Sequence, residues 1–196
     1  MRSAPAPAGA ARGSARARPQ DRGGLFGRAR PGEPVLSAAP RIGRDRSAIA
    51  IRPYQARDLQ ACARIYVEAR RVAFPWRPPE TFQPEDFERD SLDESIFVAE
   101  RRGRVAGLLS LCPEERFIHL LFVDPAEHRK GVGRALLAHS MAVLGPRVWL
   151  KCQQKNFNAL AFYKSQGWSV TPGGADEVGP WSYVASPQAS MIAGLT

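Results

Sequence analysis

Residues 48–185 move back and forth between the two spacings that a buried face imposes on a chain, two for strands and about 3.6 for helices. Residues 48–53 (AIAIRP) alternate and predict a short strand. After Asp58, apolar residues fall at Leu59, Cys62, Tyr66, Ala69 and Ala73, the stripe of an amphipathic helix. The prolines of 74–79 forbid regular pairing and predict a loop, and a short polar helix follows at 84–90. Residues 95–100 and 105–112 read as a hairpin turning at Gly103, and 117–123 as a further strand stopped by Asp124 and Pro125. Val132, Leu136, Leu137, Met141 and Leu144 give 131–144 a helical face that Gly145 and Pro146 end. Strand 147–152, helix 156–166 closed by Gly167, and strands 168–170 and 181–185 complete the series. The order β-α-α-β-β-β-α-β-α-β-β predicts an α/β domain, a mixed and largely antiparallel sheet with helices on both faces.

Composition changes the picture mainly at the N-terminus. Residues 1–46 are Ala, Pro, Gly and Arg with few large apolar side chains, a composition that predicts a disordered leader ahead of one domain at 47–196. Ten arginines there stand against Asp21, Glu33 and Asp45, so seven of the nine net positive charges lie in the leader and two in the other 150 residues. A nearly neutral body argues against a nucleic-acid partner, although an inert extension, an electrostatic tether and a transit peptide all fit the leader. Cys62, Cys112 and Cys152 are widely spaced and odd in number, which suits small apolar residues in a reducing cytoplasm better than a disulfide framework or a metal site. No apolar run approaches the ~20 residues of a membrane span.

Candidate chemistry concentrates in one stretch. The strand 117–123 runs through a loop into a helix that begins at Gly131 and Gly133. Free N–H groups and the positive dipole end of such a helix attract anions, glycines admit a phosphate close to the backbone, and Arg129, Lys130 and Arg134 add charge. A Walker loop would need Gly-Lys-Ser/Thr where the order here is Lys130-Gly131, and a dinucleotide fingerprint would need a small residue where Leu136 stands.

Two motifs then carry a resemblance. Val123-Asp124-Pro125 followed by His128-Arg129-Lys130-Gly131-Val132-Gly133 resembles the acyl-CoA loop of the GNAT acetyltransferase superfamily, Gln/Arg-x-x-Gly-x-Gly/Ala after Val-x-Pro. Asn156-x-x-Ala159-x-x-x-Tyr163-x-x-x-Gly167-Trp168 resembles its second signature. One departure is His128 at the Gln/Arg position, with Arg129 one place late. The resemblance covers about 48–186 and implies an N-acetyltransferase that moves an acetyl group from acetyl-CoA to a primary amine by direct attack in a ternary complex.

The resemblance also implies where each part lies. The strand ending at Val123 splays from the parallel strand 147–152. Acetyl-CoA lies in the gap, with pantetheine on the backbone of Leu121 and Val123 beside Phe122. Its pyrophosphate sits over His128, Arg129, Lys130, Gly131, Val132, Gly133 and Arg134, with Asn156, Ala159 and Phe162 alongside. Tyr163 matches the tyrosine that protonates the departing thiolate, although core packing on an amphipathic helix fits its position equally. His119, expected on one strand face with Phe117, Leu121 and Val123, is the candidate base, with a structural histidine as the alternative and Glu114 and Glu115 as second choices. Phe74, Trp76 and Phe82 are candidates for an acceptor pocket or for capping the core. No metal is expected. A small-molecule amine is the first reading of the acceptor. A protein N-terminus or lysine, or a non-catalytic acetyl-CoA-binding module, are alternatives, and a homodimer stays open.

Overall fold

The computed structural model describes residues 48–188, so the leader expected at 1–46 lies outside the described residues. Seven strands form one sheet: β1 (Ile49–Pro53), β2 (Ser95–Arg101), β3 (Arg104–Cys112), β4 (Phe117–Val123), β5 (Trp149–Gln153), β6 (Ser169–Asp176) and β7 (Gly179–Ala185). Helices α1 (Leu59–Ala73), α2 (Asp86–Asp90), α3 (Val132–Leu144) and α4 (Phe157–Ser165) connect them. The strands lie in the order β1-β2-β3-β4-β5-β7-β6, and every neighbouring pair is antiparallel except β4 with β5. The expected element order and mixed, largely antiparallel sheet are therefore what the chain forms.

Burial explains the patterns. β3 is an interior strand covered on both faces, so its run is largely apolar without alternation. Leu109 and Leu111 join the cluster under α3 with Ile118, Leu136, Leu150 and Val184. Leu108 joins the opposite cluster with Cys62, Ile65 and Tyr66 of α1, Phe87 of α2, and Leu120. Gly107 permits the close approach of α3: a Cβ there would stand 2.9 Å from the Phe122 carbonyl oxygen and 3.1 Å from Val132 Cγ1. At the start of α1, Asp58 closes a short 3-10 turn; its carboxylate accepts from Gln55 N at 2.9 Å and pairs with Arg52 at 2.6 Å.

Several boundaries differ from the sequence pattern: α2 starts at Asp86 instead of residue 84, and β7 at Gly179 instead of residue 181. β5 starts at Trp149, two residues after the expected Arg147. β6 continues through Pro172, Gly173 and Gly174, residues that argue against a strand. The Trp181 ring lies so close that a Cβ on Gly173 would come within 2.2 Å of it. The glycines therefore serve as the seat of an indole, and the hairpin extends past them.

The feature that positions the site is the β4–β5 seam. The two strands pair only at Phe117 with Trp149 and Ile118 with Leu150. Beyond that point β4 follows β3, ending with Val123 opposite Gly107, while β5 follows β7. The register of β4 against β3 slips where they part, since Ser110 faces Leu120 and Leu111 faces Ile118. His119 is thus the extra residue of a β-bulge, a feature that bends a strand and re-aims its side chain. Among the described residues, no helix is long and apolar enough to cross a membrane.

Candidate active site

The parting of β4 and β5 opens a cavity of about 920 Å³ that reaches the first turn of α3, the inner side of α4 and the end of α1. Its backbone wall follows from the splay. Residues 121–123 of β4 have no strand partner on the β5 side, so the peptide groups that face it, apart from the Val123 carbonyl, are open to an extended ligand as they would be to a neighbouring strand.

One end of the cavity is built around the start of α3. Asp124 ends β4, accepts from Ala126 N at 2.9 Å and pairs with Arg64 of α1 at 2.7 Å. Burial pushes its carboxyl up, but the Arg64 guanidinium and the Ala126 N–H outweigh it and leave the carboxyl below its ordinary value. Arg129 takes a left-handed φ of 64° and Gly131 one of 87°, which turn the chain into α3, whose first residues, 131–134, line the cavity. His128 Nε2–H donates to the Val123 carbonyl at 3.2 Å, so the residue standing at the Gln/Arg position braces the end of the splayed strand. Arg129 and Arg134 line the cavity and form no ion pair among the described residues. Lys130 does not line it. Its ammonium donates to Ala126 O at 2.6 Å and pairs with Glu127 at 3.3 Å, so that charge is held by the preceding turn.

The middle is supplied by α4. Asn156 lines the cavity and caps the helix, its Oδ1 accepting from Ala159 N at 3.2 Å. The Phe162 ring rests on Gly133, where a Cβ would stand 3.1 Å from Cζ. Tyr163 lines the cavity although it is 6% exposed, between Phe162 and Trp168. Burial, with the nearby Cys152 as a smaller contribution, pushes its phenol well above the ordinary value. It is therefore a protonated hydroxyl at neutral pH. Burial likewise pushes the Cys152 thiol up to about 12, so it is not a thiolate there.

The far end draws on distant segments: Ala69, Val72 and Phe74 from the end of α1, Asp176 and Trp181 from the last hairpin, and His119 from β4. Two of the expected aromatics are elsewhere. Phe82, which follows the 3-10 turn Pro79–Thr81, is 1% exposed, a core residue beneath the Arg70 guanidinium at 4.8 Å. Trp76 packs edge-on against Phe74 at 5.6 Å and is not on the cavity wall.

His119 needs a correction of a different kind. Leu121 and Val123 pack with Ile118 on the α3 side, which strict alternation would not allow. The bulge breaks the phase, so His119 does not share their face. It turns instead to Glu94, whose Oε1 contacts its Nδ1. Glu94 is the residue that the sequence pattern missed. It sits in a polar stretch just before β2, and only its parity with Ile96 and Val98 hinted at the face it uses. The cavity thus brings together Tyr163, His119, Asn156, the expected β4 residues and the α3 turn except Lys130. Glu114 is not on its wall, and Glu115 lines only a smaller neighbouring hollow.

Comparison with known proteins agrees with this geometry. The Acetyltransferase (GNAT) family model matches residues 59–168. The [ribosomal protein bS18]-alanine N-acetyltransferase of Escherichia coli K12 is 32% identical over 113 residues, 55% of this chain and 73% of that protein. The peptidyl-lysine N-acetyltransferase YiaC of the same organism is 35% identical over 74 residues, 38% of this chain, and the match spans about half (49%) of YiaC. Among solved structures, the PaiA N-acetyltransferase of Thermoplasma acidophilum in complex with coenzyme A has a TM-score of 0.56 at 16% identity, covering 69% of this chain and 98% of that one, a likeness of fold. With the family model spanning more than half of the chain and the splayed β4–β5 seam in place, the protein belongs to the GNAT family of acetyltransferases, enzymes that transfer an acyl group from acetyl-CoA to an amino group.

Proposed function

We propose that this protein acetylates a polypeptide amine, an N-terminal α-amino group or a lysine, by direct attack on acetyl-CoA in a ternary complex. The observation that carries the reading is the continuity of one cavity from the α3 turn, past Tyr163, to a far end bounded by both α1 and the last hairpin. An end open between two distant elements suits a chain laid across it better than a closed small-amine pocket. The 32% identity to a ribosomal-protein alanine acetyltransferase favours the same acceptor class over the small molecule first expected.

The roles follow from the chemistry of each group. The unpaired backbone of residues 121–123 holds the pantetheine arm, and the N–H groups of residues 131–133 with Arg129 and Arg134 hold the pyrophosphate. His119 takes a proton from the acceptor ammonium, since only the neutral amine has a lone pair to attack with. The neutral nitrogen bonds to the thioester carbonyl carbon and the C–S bond breaks; the leaving sulfur takes the phenolic proton of Tyr163, the second proton given up by the new amide nitrogen restores that phenol, and the proton held by His119 passes to solvent. A low-dielectric phenol that stays protonated is suited to that donation. Cys152 carries no acyl group, its thiol being held protonated by burial.

Initial-rate kinetics with free-thiol detection test this. Peptides with N-terminal alanine or an internal lysine are expected to give higher kcat/KM than arylalkylamines, with intersecting double-reciprocal lines and full activity in Cys152→Ala. Faster turnover of small amines would overturn the acceptor, and parallel lines lost with Cys152 would overturn direct attack. Donor binding without turnover of any amine would reduce the protein to a binding module.

A further inference from the structure

We propose that Glu94 is a positioning residue for the transfer step: its carboxylate holds His119 as the Nδ1–H tautomer, so that Nε2 is the nitrogen left to take the acceptor's proton. This rests on the reading of His119 as the base.

Three observations assemble the pair. The bulge in β4 removes His119 from the α3 face and turns it toward the segment before β2. On that segment Asp93 adopts a left-handed φ of 63°, and the Glu94 N–H donates to Ser91 O at 3.3 Å, which fixes how Glu94 leaves the turn. The Glu94 side chain is 14% exposed, its Oε1 lies on His119 Nδ1, and its Oε2 is buried with no hydrogen-bond partner. Among the described residues, His119 is therefore the one polar partner of this carboxylate.

The chemistry then has a single direction. A carboxylate only accepts, so the shared proton sits on Nδ1 and Nε2 keeps its lone pair. When Nε2 gains a proton, Nδ1–H keeps the Glu94 carboxylate as its acceptor, so the ring stays in place through the transfer. His119 also lines a second hollow, of about 490 Å³, with Glu115, Phe117, Lys151 and Tyr183. A ring half exposed at 47% and set between the two spaces can release to solvent the proton it has taken from the cavity side.

The chain has only three histidines, so their ring ¹⁵N resonances can be assigned in the whole protein. The wild type is expected to give the Nδ1–H pattern for His119, and Glu94→Ala a shift toward Nε2–H with His128 and His139 unchanged as a check on folding. The same variant is expected to lose about 10- to 100-fold in kcat with each KM within about twofold. Glu94→Gln, which keeps the shape, is expected to fall between, and Glu94→Ala combined with His119→Ala to be no slower than His119→Ala alone. If His119→Ala lowers kcat while Glu94→Ala leaves both kcat and tautomer untouched, Glu94 has no positioning role and His119 stands alone. If His119→Ala keeps full activity, the base itself has been misassigned, and this inference falls with it.

Discussion

The two ends of the cavity are made in different ways. The α3 end is built almost wholly from one contiguous stretch, residues 121–134, and its working groups are backbone amides set by glycine and left-handed φ angles. The far end is assembled from the end of α1, β4 and the last hairpin, with Glu94 of the segment before β2 set behind His119, and its groups are side chains. A site made of main chain in one segment tolerates exchange of side chains, as His128 illustrates by bracing Val123 from the Gln/Arg position. A site made of side chains from several segments depends on how those segments dock, which is why neither the contact of Glu94 with His119 nor the core position of Phe82 was legible in the sequence pattern.

This contrast can be probed by substitution. Phe82→Ala should remove a fully buried ring from the core and cost about 3–5 kcal/mol in stability, read by denaturant unfolding, with acceptor KM unchanged in the folded enzyme. A raised KM at unchanged stability would return Phe82 to the substrate. Tyr163→Phe should lower kcat about 100-fold with little change in KM for acetyl-CoA, because it deletes a proton donor and no packing. Gly131→Asp places a negative charge where an anion is proposed; its Cβ meets nothing nearer than Ile49 Cδ1 at 3.7 Å, but the φ of 87° strains any side chain there, so Gly131→Ala is the control that separates charge from strain. Donor Kd by calorimetry should rise about 30-fold or more, roughly 2 kcal/mol. At Gly133 the same change would also collide with Phe162, which makes it the poorer test.

Asp124→Asn should cost about 1–2 kcal/mol at neutral pH, since it leaves Arg64 facing an uncharged amide. The sign of its pH dependence follows from the depressed carboxyl value. The wild-type advantage is present above the unfolded carboxyl range near about 3.9 and is lost as pH falls through the lower folded value, so unfolding curves of the two proteins should converge in acid. Curves that stay parallel down to pH 2 would mean that the loss comes from packing. Smallest of all, Lys130→Ala should change donor Kd less than about twofold, because its ammonium is held by Ala126 O and Glu127.

What the sequence determined by itself was whatever depends on near neighbours in the chain. Period-two and period-3.6 patterns, Gly103, Gly131 and Gly145 at turns, and Asn156 as a helix cap act over a few residues, and they specify the eleven-element order. The α3 turn was legible for the same reason. Tertiary structure decided whatever depends on which element lies beside which. Trp181 settling on Gly173 extended a hairpin that its composition argued against. Docking decided that Phe82 lies in the core, and burial pushed the Tyr163 phenol above its ordinary value. The bulge at His119 decided most: one extra residue reverses the face of a side chain, and period-two alternation carries no sign of it until the register against β3 is known.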